Sequence, residues 1–333
     1  MGHKMKWGWV ILLGALATAA YAATPLQPAI VYGMGGKFDK SFNEGLFRGA
    51  ERFKKETGTA YVEFEITNET QYEQVYRHFA QHNRTPIIGV GFSQIEAVTT
   101  VAKQYPNVRF TLIDSDIKLP NVQSVQFREE EGSFLVGVLA AMASKTHKIG
   151  FVGGMDVPLI RRFACGYAQG IRYADPHATL IQSMAGTTPT AWTDPARGGE
   201  LARQQFDRGV DVVYAAAGET GLGVLQAAAD AHRLAIGVDS DQDYLHPGTM
   251  LTSMVKHVDA VAYDALKTSA AGTWKPGYRI LGLKEGGVDY ALDQYNAKLI
   301  SPAMKAKVDQ AKADIISGKL KVHDYESTNS CNI

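Results

Sequence analysis

The stretch Lys37-Phe38-Asp39-Lys40-Ser41-Phe42-Asn43-Glu44-Gly45 sets an acid, an aromatic ring and an amide at the junction of a strand pattern and a helical pattern. The strand pattern is Ala29-Ile30-Val31-Tyr32-Gly33. Ser41 and Glu44 read as a capping box, with Ser41 at the helix cap and Glu44 reaching back to it. Phe42 and Asn43 then fall in the first helical turn. There, free backbone N–H groups and the helix dipole favour an acceptor-rich ligand, and the ring offers it a flat apolar face. The competing reading is structural: Phe42 would simply begin the core stripe Phe42, Leu46, Ala50, Phe53.

In open parallel sheets, ligands bind beyond the carboxyl ends of the strands. Polar or small residues recur at such ends along this chain. Asp114 ends Phe110-Thr111-Leu112-Ile113, Gly218-Glu219-Thr220 ends Val212 to Ala217, Asp239 ends Leu234 to Val238, and Lys256 ends Leu251 to Val255. Gly91 and Phe92 follow another strand, in Gly89-Val90-Gly91-Phe92-Ser93, where small residues let a ligand approach the backbone. Any one of these acids alone reads as a solvated helix cap. Several at equivalent strand ends in two series point to one cleft. Trp192 precedes Thr193-Asp194-Pro195, a helix start with Asp at the cap and Pro at the first helical position, which puts a large ring at the cleft rim. Its alternative role is a staple on its own helix, for example against Leu201.

Several other chemistries fail on spacing. Asp239-Ser240-Asp241-Gln242-Asp243 begins like a calcium loop, but Tyr244 stands where the turn glycine belongs and Met250 where the closing Glu belongs. Gly150-Phe151-Val152-Gly153-Gly154 lacks the Lys-Ser/Thr of a phosphate-binding loop. No His-Glu-x-x-His zinc motif and no Gly-x-Ser-x-Gly elbow occurs. No cofactor is expected.

The elements that must position these residues alternate between strand and helix, the signature of parallel α/β architecture. A first series has strands near 29–35, 61–67, 86–92, 109–114 and 122–127, with helices near 42–56, 70–82 and 93–105. Arg128-Glu129-Glu130-Glu131 then breaks the pattern with charge, and a second series on the same plan follows. The terminal stretch Tyr325 to Ile333 is polar and is expected to be loose.

Lys4 and Lys6 precede the apolar run Trp7 to Ala20, and Ala20-Tyr21-Ala22 is a small-x-small cleavage site, so residues 1–22 read as a signal peptide. The run is short of the ~20 residues that a membrane span needs. With Lys4 and Lys6 removed, 32 basic and 34 acidic side chains remain, a formal net charge of −2. That balance gives no electrostatic reason to expect nucleic acid or an anionic membrane as partner. Cys165 and Cys331 are the only cysteines. They are able to pair in an oxidising compartment, while Cys165, in an apolar helical stretch, also reads as an inert buried thiol.

At this point the chain resembles the basic membrane protein family of ABC-transporter substrate-binding proteins, whose best-understood members are purine nucleoside receptors. The resemblance rests on Asp39-Lys40-Ser41-Phe42-Asn43, Gly89-Val90-Gly91-Phe92, Glu131-Gly132-Ser133-Phe134-Leu135-Val136-Gly137 and Ile149 to Gly154. It continues through Ala217-Gly218-Glu219-Thr220-Gly221-Leu222-Gly223-Val224, Ile236-Gly237-Val238-Asp239 and Leu251 to Lys256. It implies an α/β fold of the type I periplasmic binding protein class, two Rossmann-like lobes joined by three crossover strands. The lobes would comprise residues 23–128 with about 255–283, and 129–254 with about 284–325, followed by a tail at 326–333. It further implies a purine between Phe42 and Trp192, a base edge read by Asn43 and Asp114, and ribose hydroxyls held by Asp239 and Lys256, with Asp39 and Gly218 lining the same site. This chain departs from the family in lacking a lipid-anchor cysteine after the apolar run, and in carrying Trp where nucleoside receptors commonly carry Phe.

The resulting expectation is a monomeric periplasmic solute-binding protein that delivers a purine nucleoside to an inner-membrane ABC permease, without catalysis. A free purine base or another flat heterocycle is the alternative ligand, and an exported nucleoside-processing enzyme is the alternative class. A transcriptional regulator on the same fold is disfavoured by the leader, and a sensory receptor would read the same way in sequence. Mass spectrometry of the periplasmic fraction should find a mature chain beginning at Ala23 without diacylglycerol; a product retained in the membrane by an uncut leader would contradict the soluble carrier.

Overall fold

The computed structural model describes residues 1–3 and 26–331; apart from its first three residues, the expected leader and its cleavage point lie outside the described residues. Short Val/Ile-rich runs such as β1 (Ala29–Tyr32) are buried along their whole length. A strand buried on both faces needs helices on both sides, which is what parallel crossover connections supply. The first series is accordingly β1, α1 (Phe42–Thr57), β2 (Val62–Glu65), α2 (Tyr72–Gln81), β3 (Ile87–Val90), α3 (Ile95–Gln104), β4 (Phe110–Ile113) and β5 (Val122–Phe127). The second is α4 (Glu129–Ala143), β6 (Lys148–Met155), α5 (Pro158–Ala174), β7 (Thr179–Gly186), α6 (Pro195–Asp207), β8 (Val212–Ala216), α7 (Glu219–Asp230), β9 (Leu234–Asp239) and β10 (Met250–Lys256). The chain continues through α8 (Val258–Ala270), β11 (Gly277–Leu281), β12 (Val288–Tyr290) and α9 (Pro302–Ile316).

These strands form two six-stranded sheets, ordered β11-β5-β4-β3-β1-β2 and β12-β10-β9-β8-β6-β7. All pairings are parallel except that of β12, which runs antiparallel to β10 with Lys256 opposite Val288. The chain therefore passes between the sheets after Phe127, after Lys256 and again between β11 and β12. Two of these passages are tight: Arg128 alone separates β5 from α4, and His257 alone separates β10 from α8. This is the two-lobed, parallel-sheet architecture expected of the type I binding-protein fold. The three-residue β12 carried no readable pattern, because its pairing depends on β10 and not on its own periodicity.

The helix pair α4–α5 packs backbone to backbone. A Cβ added at Gly137 would lie 2.4 Å from the Tyr167 carbonyl oxygen, one at Gly166 2.3 Å from that of Glu130, and one at Gly170 2.0 Å from that of Phe134. This approach matters for the cleft, because α4 begins with Glu129 and α5 carries Arg162, 3.0 Å apart as a buried ion pair.

The sequence left Cys165 open between two states; the structure joins it to Cys331. It also corrects the expectation of a loose terminal stretch. Within Tyr325 to Cys331, Arg162 Nη2 donates to Glu326 and Cys331 is bonded to Cys165; just ahead of it, Gln169 donates from Nε2 to the His323 carbonyl (2.9 Å) and accepts from the His323 N–H (2.8 Å), and Arg162 Nε donates to Asp324 Oδ1 (2.9 Å). Polar composition suggested solvent, but here the polar groups are partners of α5.

Replacing Gly170 by Ala should lower stability by about 1–3 kcal/mol in denaturant titration. Ala improves helix propensity by about 1 kcal/mol, but the new methyl meets a backbone carbonyl that cannot rotate away. A Gly170→Ala protein at least as stable as its parent would refute the backbone-contact packing.

Candidate functional site

One cavity lies between the carboxyl ends of the two sheets, and the ten residues assigned a ligand-binding role from the sequence line it. Asp39, Phe42, Asn43, Gly91, Phe92 and Asp114 come from the β1, β3 and β4 ends; Trp192, Gly218, Asp239 and Lys256 come from the second sheet's side.

The start of α1 differs from the expected capping box. Ser41 makes no side-chain bond to a helix N–H, and Glu44 accepts from Lys40 N (3.2 Å) and not from Ser41. The acceptor is Asp39, whose carboxylate takes the N–H groups of Ser41 (2.8 Å), Asn43 (3.0 Å) and Glu44 (3.1 Å) together with Asn43 Nδ2 (3.0 Å). A carboxylate has two acceptor oxygens and a charge that suits a helix N-terminus, so it displaces a hydroxyl from that role. Burial pushes its carboxyl up to about 7, although the backbone donors at Asn43, Ser41 and Glu44 pull the other way. Ser41, released, donates from Oγ to Asp239 Oδ2 of the opposite sheet (2.6 Å). The same seam holds Ser240 Oγ donating to the Ser41 carbonyl (2.8 Å) and Gln242 Nε2 donating to the Lys40 carbonyl (3.1 Å).

Asn43 is largely occupied within its own lobe: Oδ1 accepts from Gly33 N (2.8 Å) while Nδ2 donates to Asp39. Asp114 and Asp239 occupy equivalent strand-end turns with φ of 59° and 62°. Asp tolerates this left-handed region better than most residues, and such backbones cluster where a side chain must be presented to a site. Burial raises both carboxyl pKa values, with Lys256 pulling each back down and Glu129 pushing it up. Asp114 Oδ1 is buried without a hydrogen-bond partner, an acceptor that a ligand N–H would satisfy.

Lys256 sits at the centre. Its Nζ lies 2.8 Å from Asp114 Oδ2 and 2.9 Å from Glu129 Oε1, with the Phe42 and Phe127 ring centroids at 4.7 and 5.0 Å. Burial alone would push the ammonium pKa down; Asp114, Glu129 and Asp239 together raise it above its ordinary value, so the side chain stays charged. Phe42 thus lines the cavity and faces a cation, while Leu46, Ala50 and Phe53 of the same stripe are buried in the core. Trp192 ends a short 3-10 turn, Pro189–Trp192, ahead of the Asp194 cap, whose side chain accepts from Arg197 N. Its ring lies on Gly154, where an added Cβ would meet ring carbons at 2.3 and 2.5 Å.

Sequence reasoning missed three contributors. Gly35, with φ of 120°, admits both lobes: its Cβ would lie 3.3 Å from Asn43 Nδ2 and 3.9 Å from Trp192 Cβ. Phe163 lines the cavity from α5. Glu129, read only as part of a charge break, is fully buried against Lys256; an acid two residues past the end of a buried strand was the available signal. Among the described residues no cluster of His, Cys, Asp and Glu could hold a metal ion, and no helix is long and apolar enough to cross a membrane.

Comparison with known proteins adds sequence and fold similarity. The family model for PnrA-like ABC transporter substrate-binding proteins matches residues 29–326. The ABC transporter nucleoside-binding protein BmpA of Lactococcus lactis subsp. cremoris is 35% identical over 332 residues, 92% of each chain. Basic membrane protein D of Borreliella burgdorferi is 32% identical over 292 residues, covering 85% of this chain and 84% of that one. An ABC transporter solute-binding protein from Aeropyrum pernix K1 has the same fold, with a TM-score of 0.85 and 28% identity over 92% of this chain and 95% of that one.

The buried acids make a pH prediction. Glu130, beside Glu129, is pushed by burial up to about 8 from the usual 4.5, and Asp39 and Asp243 are raised to about 7 for the same leading reason. A carboxyl that binds its proton more tightly when folded stabilises the fold fully below its unfolded pKa and loses that contribution as pH rises through the folded one. The melting temperature of ligand-free protein should therefore fall between about pH 4.5 and 8, and Glu130→Gln should flatten the upper part of that fall. A variant profile parallel to the parent's would remove Glu130 as a source.

Proposed function

This chain belongs to the PnrA-like family of ABC transporter substrate-binding proteins, and on that premise we propose that it is a periplasmic carrier of purine nucleosides. Members of this family bind and hand over a solute to an ABC permease and are not enzymes. The observation that carries the nucleoside reading is the pairing of two flat aromatic faces, Phe42 and Trp192, from opposite sheets with two strand-end carboxylates in one cavity. In this reading a purine lies between the rings. Asp114 Oδ1 accepts from a base N–H, and Asp239 accepts from the vicinal hydroxyls of a ribose. Asn43 contributes the remaining N–H of its amide, Lys256 balances the carboxylates, and Gly91, Phe92 and Gly218 shape the walls.

The relative named as nucleoside-binding supports the ligand class. In this reading residues 23–128 with about 255–283 move as one lobe against 129–254 with about 284–325, and the Ser41–Asp239 seam forms on closure. Ligand favours the closed state by binding it more tightly. The carrier works as a soluble monomer, released by cleavage after Ala22.

Calorimetry with inosine, guanosine and adenosine should show tight binding, with the nucleoside recovered intact after long incubation. Phe42→Ala and Trp192→Ala should each weaken binding by about 1–3 kcal/mol, and Trp192→Phe by less. Asp239→Ala should weaken a ribonucleoside far more than its 2′,3′-dideoxy analogue. Binding of adenine or hypoxanthine but of no nucleoside would overturn the ribose assignment, and release of free base would overturn the carrier.

A further inference from the structure

On one face of α5, Arg162, Cys165 and Gln169 stand at i, i+3 and i+7, and all three hold the segment 323–331. Gln169 takes the His323 backbone in both directions, Cys165 is bonded to Cys331, and Arg162 takes two acids of the segment. The Arg162 side chain is 6% exposed, and its guanidinium is fully engaged. Nε donates to Asp324 Oδ1 (2.9 Å), Nη2 donates to Glu326, and Nη1 donates to the Phe127 carbonyl (3.2 Å) and to Glu129 Oε2 (3.0 Å). Phe127 is the last residue of β5 and Glu129 the first of α4, so Arg162 grips the passage between the sheets.

Glu129 is the shared element. Its other oxygen pairs with Lys256, which pairs with Asp114 in the cavity. Arg162 and Lys256 therefore draw on one carboxylate, and Asp324 and Glu326 satisfy Arg162 from its other side. Without them Arg162 would retain the Phe127 carbonyl, Glu129 and the longer 3.9 Å contact to Glu130, and it would compete with Lys256 for Glu129. Glu326 also borders, with Arg162 and Glu129, a second cavity that shares Phe92, Asp114 and Leu159 with the first.

We propose that the segment 323–331 is part of the binding machinery: it holds Arg162, a positioning residue that fixes Glu129 and through it Lys256, so that ligand affinity depends on Asp324, Glu326 and the disulfide tether. The proposal rests on the nucleoside reading for its ligand only. Coupling of this kind between a site and a distant element typically amounts to several-fold in affinity.

The test uses the full mature chain. Asp324→Asn with Glu326→Gln removes two partly exposed charges with little change in shape, and Cys331→Ser removes the tether. Both should weaken nucleoside binding about fivefold or more. In ligand-free protein both should speed hydrogen exchange at 127–130 and 256–258. The charge-conserving pair Asp324→Glu with Glu326→Asp should stay close to the parent. A segment that served the fold alone would lower the melting temperature while affinity held at the parent value, and that result overturns the proposal. If the parent binds no nucleoside, the nucleoside reading fails by itself, and exchange at the two passages decides the segment's role: unchanged exchange overturns it.

Discussion

The organising constraint of this protein is a single ammonium group buried where two lobes meet. Lys256 ends a strand of the second sheet, yet its partners are Asp114 at the end of a strand in the first and Glu129 at the passage between them. Removing an ammonium from water costs several kcal/mol unless close, well-oriented acids replace the lost hydration. Three carboxylates, counting Asp239, do so here. The arrangement holds only while both lobes present their strand ends to the same point, so the charge cluster and the cleft geometry are one feature.

The surrounding packing serves that point. Glycines at 137, 166 and 170 let α4 and α5 approach within backbone contact, and this brings Glu129 and Arg162 into register. On the other side Asp39 gathers the opening N–H groups of α1, which holds Phe42 and Asn43 at the cavity and frees Ser41 to reach Asp239. Two carboxylates in left-handed turns, Asp114 and Asp239, face the cavity from equivalent positions in the two sheets. Of their oxygens Asp114 Oδ1 is buried without a partner, an acceptor that a ligand donor would satisfy.

Much of this was legible before any coordinates. The alternation of Val/Ile runs with amphipathic stretches predicted two series of strands and helices on one plan, though not β12, and the strand-end positions of Asp114, Gly218, Asp239 and Lys256 predicted one cleft. The errors share a cause. Ser41 and Glu44 match a capping box by spacing, but spacing does not register that Asp39, two residues earlier, is a better acceptor for the same N–H groups. Likewise Glu326 read as part of a loose polar tail, because its partner Arg162 lies more than a hundred and fifty residues away in the chain.

The sequence alone determined which elements form and which of their ends carry polar chemistry, because backbone periodicity and strand termination are local properties of neighbouring residues. Tertiary structure alone decided who partners whom. It joined Cys165 to Cys331, turned Glu129 from a charge break into the buried counter-ion of Lys256, and occupied the Asn43 carbonyl with Gly33. The physical reason is that hydrogen bonds and ion pairs act over about 3 Å in space, while the residues that make them here stand up to two hundred positions apart, and no local pattern encodes which of several acids a buried cation will meet.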